Sequence, residues 1–290
     1  MSILDFINFY LVPGIVQGSV YALGAIGVTL VYAIMRHGHF AHGDMATLGA
    51  FVALFVVTSL GLPIYVALPV AVVLSGSVAV GIDRVFYAHL RSRPMIITTI
   101  ASLGIALMLR SVVQMIWGVN TESYSLGITR PHDWFGVKIK SYEIITLWVV
   151  VGLVITLQLF LTNTKWGKAM RAMSDNPNLA LLCGIDNRKV VTLTWMIVGG
   201  LCAASGFFLG LNTEVKSMMG WNILLPTFAA AILGGVGRIE GAIVGGLIVG
   251  IVEELSVLAI PTEYKILAPF VILLVVLLMR PTGIFHGKLL

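Results

Sequence analysis

Three of the six histidines, His37, His39 and His42, stand beside Asp44 in a chain otherwise poor in polar residues. Imidazole nitrogens with a carboxylate are a donor set for Zn²⁺ or Ni²⁺. The spacing argues against that use: 37, 39 and 42 give neither the i,i+4 helical pair nor a spacing typical of a structural site. A bend explains these residues with less. Gly43 relaxes the backbone, and Asp44 is expected to cap the helix that follows, whose N-terminus favours its charge. No metal is expected. Three further ionisable residues, Arg110, Glu253 and Glu254, lie inside apolar runs, where charge is costly and faces protein or water. Arg110 is expected to pair with Glu253 or Glu254, to meet the carboxylate of a ligand, or to snorkel to an interface. No Ser-His-Asp array, carboxylate dyad or cofactor fingerprint is present, so no catalytic residue is assigned and the chain is not read as an enzyme.

The elements that must position these groups are membrane spans. The chain has 290 residues, 58% hydrophobic and 11% charged, with a mean hydropathy of +1.00. A soluble domain carries about 25% charged residues. Nine apolar runs, 11–35, 45–60, 64–82, 96–117, 144–161, 190–211, 223–236, 241–259 and 266–279, have lengths suited to a hydrocarbon core of about 30 Å. The expected fold is an all-α integral membrane protein: a polytopic bundle of eight or nine transmembrane or partly re-entrant helices in a single domain over 1–290. The runs 45–60 and 223–236 are short and rich in small residues, which makes either one a candidate for a segment that does not fully cross. The first ten residues, MSILDFINFY, carry no Lys or Arg, so the first run is expected to stay as a permanent span. Cys183 and Cys202 are too few for a disulfide framework and are expected as thiols.

Orientation follows from the cations. With the connection 163–189 inside and every run crossing, Arg130, Lys138, Lys140, Lys216 and Lys265 fall outside. All other Lys and Arg except Arg110 fall inside. The N-terminus is then outside and the C-terminus cytoplasmic. In the outer connection, about 118–143, WFGVKIKSYEI alternates with period two and predicts a hairpin. In the inner one, helix formers run over 168–173, Asp175-Asn176-Pro177 punctuates, and a second short helix over 178–183 ends at Gly184, a good residue just past a helix end. Leu179, Leu182 and Ile185 are expected to form its apolar face. Glycines at Gly14/Gly18, Gly206/Gly210, Gly241/Gly245 and Gly246/Gly250 repeat a four-residue spacing that lets neighbouring helices approach closely, chiefly within the subunit.

HFAHGDMATLGAFVA resembles the N-F-A-H-G-[DE]-x-x-x-x-G-A-Y passage of branched-chain amino acid ABC-transporter permeases. TTIASLGIALMLRSVVQMIWG, KAMRAMSDNPNLALLCGIDNRKVVTLTWMIVGGLCAASGFFLG and AAAILGGVGRIEGAIVGGLIVGIVEE continue the resemblance in family order over nearly the whole chain. The length is similar to that of the shorter of the two permease subunits. The resemblance implies a bacterial inner-membrane importer with a second, longer permease subunit, two ATP-binding subunits and a periplasmic substrate-binding protein, working in the lipid bilayer with no nucleic acid. No cofactor is expected on this chain. Gly167-Lys168 and Gly287-Lys288 are followed by Ala169 and Leu289, so no P-loop is present, and ATP and Mg²⁺ are expected in the partner subunits. By family position, Arg171, Asn176, Pro177, Leu181, Leu182, Gly184 and Ile185 are expected to contact the ATP-binding subunit. Tyr21, Asp44, Thr47, Arg110 and Glu253 are expected to line the pathway. Urea or a short amide is the alternative substrate. A self-sufficient channel or secondary transporter, with Glu253/Glu254 as its ion site, is the alternative class.

Overall fold

The computed structural model describes residues 2–124, 131–134, 136–280 and 282–285. Residues 125–130 and 135 of the connection 118–143 lie outside the described residues, as do Arg130 and Lys288 of the orientation argument. The described residues are mainly helical, in the order α1 (Ile3–Met35), α2 (His42–Thr58), α3 (Ile64–Leu90), α4 (Met95–Trp117), β1 (His132–Trp134), β2 (Val137–Ile139), α5 (Ser141–Asn163), α6 (Lys165–Asp175), α7 (Pro177–Leu182), α8 (Asn187–Asn212), α9 (Met219–Gly234), α10 (Ile239–Ser256) and α11 (Leu267–Met279). Five of these, α1, α3, α4, α5 and α8, are long and apolar enough to cross a membrane by length and composition. Helices α2, α9 and α11 are shorter and apolar, and α10 carries Glu240, Glu253 and Glu254.

Helix α1 starts eight residues before the apolar run at Leu11. Ser2 Oγ accepts from Asp5 N (3.1 Å) and the Asp5 carboxylate accepts from Ser2 N (3.0 Å), a reciprocal cap that satisfies otherwise unpaired amides. The alternating stretch forms its hairpin, with His132 opposite Ile139 and Trp134 opposite Val137. Asn8 holds it to α1: its amide donates to Gly136 O (3.0 Å) and its carbonyl accepts from Lys138 N (2.9 Å).

The two short helices α2 and α9 shape the centre. After Met35 the chain doubles back, and α2 begins level with the middle of its neighbours: His42 packs against Gly27 of α1 and Cys202 of α8. The connection between α1 and α2 is non-helical backbone inside the protein, where polar groups need partners. Ser102 of α4 supplies them, accepting from Phe40 N (3.1 Å) and donating to Gly38 O (3.2 Å). The first turn of α9 meets the first turn of α2, with Gly43 and Gly220 in direct backbone contact.

The glycine pairs set the closest approaches. A Cβ at Gly14 would meet Ile251 Cα at 2.9 Å, and one at Gly18 would meet Leu247 Cα at 2.9 Å. Gly246 lies on Ala22 and Gly250 on Gly18, which closes α1 against α10. Gly206 abuts Ala46, Gly210 lies against Tyr124 and Val215, Gly241 abuts Gly234, and Gly245 abuts Ala230. All eight therefore pack inside the chain. Gly250→Val should lower stability by about 1–3 kcal/mol by overpacking the seam. Gly104→Ala, on a surface with nothing within 4 Å, should not lower it. Unfolding midpoints of the two purified variants check the contrast.

Candidate functional site

Asp44 and Arg110 form a bidentate ion pair at the meeting point of α2, α4 and α9. Arg110 Nε donates to Asp44 Oδ1 (2.9 Å) and Nη2 to Oδ2 (3.0 Å). The carboxylate side chain is 1% exposed and the guanidinium side chain 13%. The guanidinium also lies over the Trp221 ring, 5.2 Å from its centroid. One turn further along α4, Gln114 donates to Ser217 Oγ (3.2 Å). Thr47, fully buried, accepts from Gly220 N (2.9 Å) and donates to Gly43 O (3.3 Å), which ties the starts of the two short helices together.

This arrangement corrects two expectations. Arg110 pairs with Asp44, not with Glu253 or Glu254, and its side chain is too enclosed to snorkel. Asp44 lies in the first turn of α2, but that helix has no side-chain cap, because the carboxylate is committed to Arg110. Both errors have one cause. The sequence shows Asp44 next to a bend but gives no sign that the bend is folded back among α4 and α9.

The histidines lie at the bend, folded inside the protein. His37, His39 and His42 are all buried, with successive ring centroids 6.5 and 5.9 Å apart. His39 meets Trp195 edge-on at 4.9 Å, and Trp195 stacks on Tyr87 at 5.0 Å with their planes 4° apart. His42 Nδ1 lies 3.2 Å from Cys202 Sγ. They form an aromatic box between α3 and α8. Among the described residues, no group of three or more His, Cys, Asp or Glu could hold a metal. Tyr87, Trp195 and Trp221 escaped the sequence analysis, because aromatic residues in apolar helices look like ordinary core.

Tyr21 and Glu253 lie elsewhere, between α1 and α10. Tyr21 OH donates to Glu253 Oε2 (2.7 Å), and both residues are buried. Glu253 lines a cavity of about 460 Å³ on the side of the hairpin and the α8–α9 connection, together with Val16, Gln17, Leu209, Lys216 and Asn222.

The opposite end carries α6 and α7. Thr164 caps α6 by accepting from Gly167 N (3.0 Å). Asn176 Oδ1 caps α7 by accepting from Asn178 N and Leu179 N (3.1 Å each), and Pro177 occupies the first turn, where its missing N–H costs nothing. Gly184 adopts φ +82°, a left-handed conformation suited to glycine, and its N–H reaches Leu181 O (3.0 Å). Asp186 caps α8, and the hydrogen bond from Lys189 N holds its carboxyl below the usual range. Arg171 Nη2 donates to Thr162 O (3.4 Å), bracing α6 on the end of α5. Leu179, Leu181 and Leu182 are exposed, Leu182 at 84%. Ile185 instead packs against the core, so the outward apolar face is Leu179, Leu181 and Leu182, a correction to the expected Leu179, Leu182 and Ile185.

Residues 10–277 match the family described as "Branched-chain amino acid transport system / permease component". The chain belongs to this family. Among its relatives, the high-affinity branched-chain amino acid transport system permease protein LivH of Escherichia coli (strain K12) is 32% identical over 288 residues, covering 93% of this chain and 92% of the relative. The corresponding permease protein BraD of Pseudomonas aeruginosa is 32% identical over 290 residues, covering 94% of each. A solved structure, PsaBC from Streptococcus pneumoniae in complex with Fab, superposes with a TM-score of 0.52 over 96% of this chain and 95% of that one, at 14% identity. The likeness in fold therefore spans the whole bundle. This permease is a multi-pass membrane protein.

Proposed function

We propose that this permease is one of two membrane subunits of an ATP-driven, binding-protein-dependent importer of branched-chain or other neutral amino acids. It stands in the bacterial inner membrane with its N-terminus outside and its C-terminus in the cytoplasm, beside a different, longer permease subunit. The observation that carries the reading is the family match, which runs through 10–277 and is not confined to one motif. The five long helices cross the bilayer, and α2, α9, α10 and α11 cross or enter it, α2 and α9 as short segments that meet at its centre.

The ATP-binding subunits dock on α7. Its exposed Leu179, Leu181 and Leu182 fit an apolar groove, while caps at Asn176 and Gly184 make the element rigid enough to pass on a push. Under α7, Met170 and Met173 of α6 are buried against the bundle, so a displacement of the tip reaches α1 and α8. A rigid-body closure below is thereby converted into helix movement at the centre. The permeases' partner in the periplasm makes the first selection.

A pull-down of the tagged chain from mild detergent, followed by an ATPase assay, tests the assembly. Co-purification of an ATP-binding subunit with hydrolysis is the expected result. A single clean species without ATPase, still moving solute in liposomes, would transfer the function to the channel or secondary-transporter class.

A further inference from the structure

The cavity at the outer end presents three kinds of surface. Val16, Leu209 and Met219 give it an apolar wall, Lys216 and Lys265 stand at it with positive charge beside Glu143, Glu214 and Glu254, and Glu253 closes it from within. Each lysine is already paired with another carboxylate: Lys216 with Glu214 and Lys265 with Glu254, both at 2.8 Å. Glu253 is 4% exposed and, among the described residues, has no cation within ion-pair distance. The neutral Tyr21 hydroxyl donates to its Oε2 (2.7 Å). A buried carboxylate with no counter-ion is costly unless something completes it. The cavity's volume, about 460 Å³, is in the range of small-molecule sites, and most of its lining residues are polar or charged.

We propose that this cavity is a binding station for an aliphatic α-amino acid, with Glu253 holding its ammonium group. Building on the amino-acid importer reading above, the inference assigns the substrate class to a named residue. The three surfaces match the three parts of such a molecule. The ammonium completes Glu253, the α-carboxylate takes Lys216 or Lys265 from its present partner, and the side chain lies on Val16, Leu209 and Met219. Tyr21 is a positioning residue: its hydroxyl occupies Oε2 and leaves Oε1 for the ligand. Urea and simple amides carry no cation and offer Glu253 only neutral N–H donors, a weaker match than an ammonium, so the site favours the amino-acid reading.

Glu253→Gln is the informative change, because the amide oxygen still accepts from Tyr21 while the charge is gone. A residue that merely pins α1 to α10 would tolerate it. In liposomes holding the complete importer with its binding protein, wild-type uptake of L-leucine tests the underlying reading. Uptake by Glu253→Gln should then fall at least about tenfold, as expected when a buried charge partner is removed, with binding-protein-stimulated ATP hydrolysis retained. Unchanged leucine uptake by an assembled variant overturns the assignment but leaves the importer reading intact. A wild type that carries urea and no amino acid overturns both. If the variant fails to assemble, labelling of wild-type Glu253 by a carbodiimide decides. L-leucine should protect it and 4-methylpentanoate, the same skeleton without nitrogen, should not; equal labelling in both overturns the assignment.

Discussion

Arg110→Met is expected to destabilise the permease by about 3–5 kcal/mol, the range for breaking a buried ion pair by removing one partner. The change strands the Asp44 carboxylate, whose side chain is 1% exposed, with no counter-charge and no donor to replace the two lost hydrogen bonds. It also removes the cation from over Trp221. Melting of the detergent-purified variant, followed by intrinsic fluorescence and size exclusion, measures the loss. The double change Asp44→Leu with Arg110→Met should recover most of it, because replacing both members of a buried pair with apolar groups is often neutral. That comparison also assigns a role. If the pair only braces the junction of α2, α4 and α9, the double variant regains uptake along with stability. If it gates the pathway, stability returns and uptake does not.

Leu182→Asp should leave the bundle folded and abolish its productive contact with the ATP-binding subunit. At 84% exposure the side chain contributes little to the fold of the chain itself, so size exclusion and melting should match wild type. A charge at the centre of an apolar contact is desolvated on docking, and truncating a central anchor alone costs about 2 kcal/mol or more. Affinity for the ATP-binding subunit should therefore drop at least about thirtyfold, and ATP hydrolysis, where it persists, should no longer drive uptake. Titrating the purified partner onto wild type and variant gives the ratio. Normal uptake by Leu182→Asp would remove α7 from the coupling path.

The parts of this structure that sequence revealed are those whose cause is local. The nine apolar runs each became a helix, since a run of that length and composition has no other stable form in a bilayer. The α6–α7 pair was readable because Asn176, Pro177 and Gly184 act on their own neighbours. The glycine spacings pointed to close helix approaches for the same reason, although which helices meet was not visible. What sequence hid was depth. Asp44 and Arg110 are 66 positions apart, and nothing in 36–41 shows that the chain turns back so far that His42 lies level with Cys202. With the depth of the bend unknown, Asp44 looked like a cap and Arg110 looked free to find Glu253. Tyr21 and Glu253 were both singled out, yet only packing shows that they form one hydrogen-bonded pair on a cavity wall.

The most direct test of the central claim is uptake of radiolabelled L-leucine into liposomes containing this chain with its partner permease and ATP-binding subunits, with the binding protein supplied outside. ATP-dependent accumulation that is lost when either ATP or the binding protein is withheld is the predicted result. Accumulation that continues without ATP, or a complete assembly that hydrolyses ATP and moves urea but no amino acid, would contradict the amino-acid importer assignment.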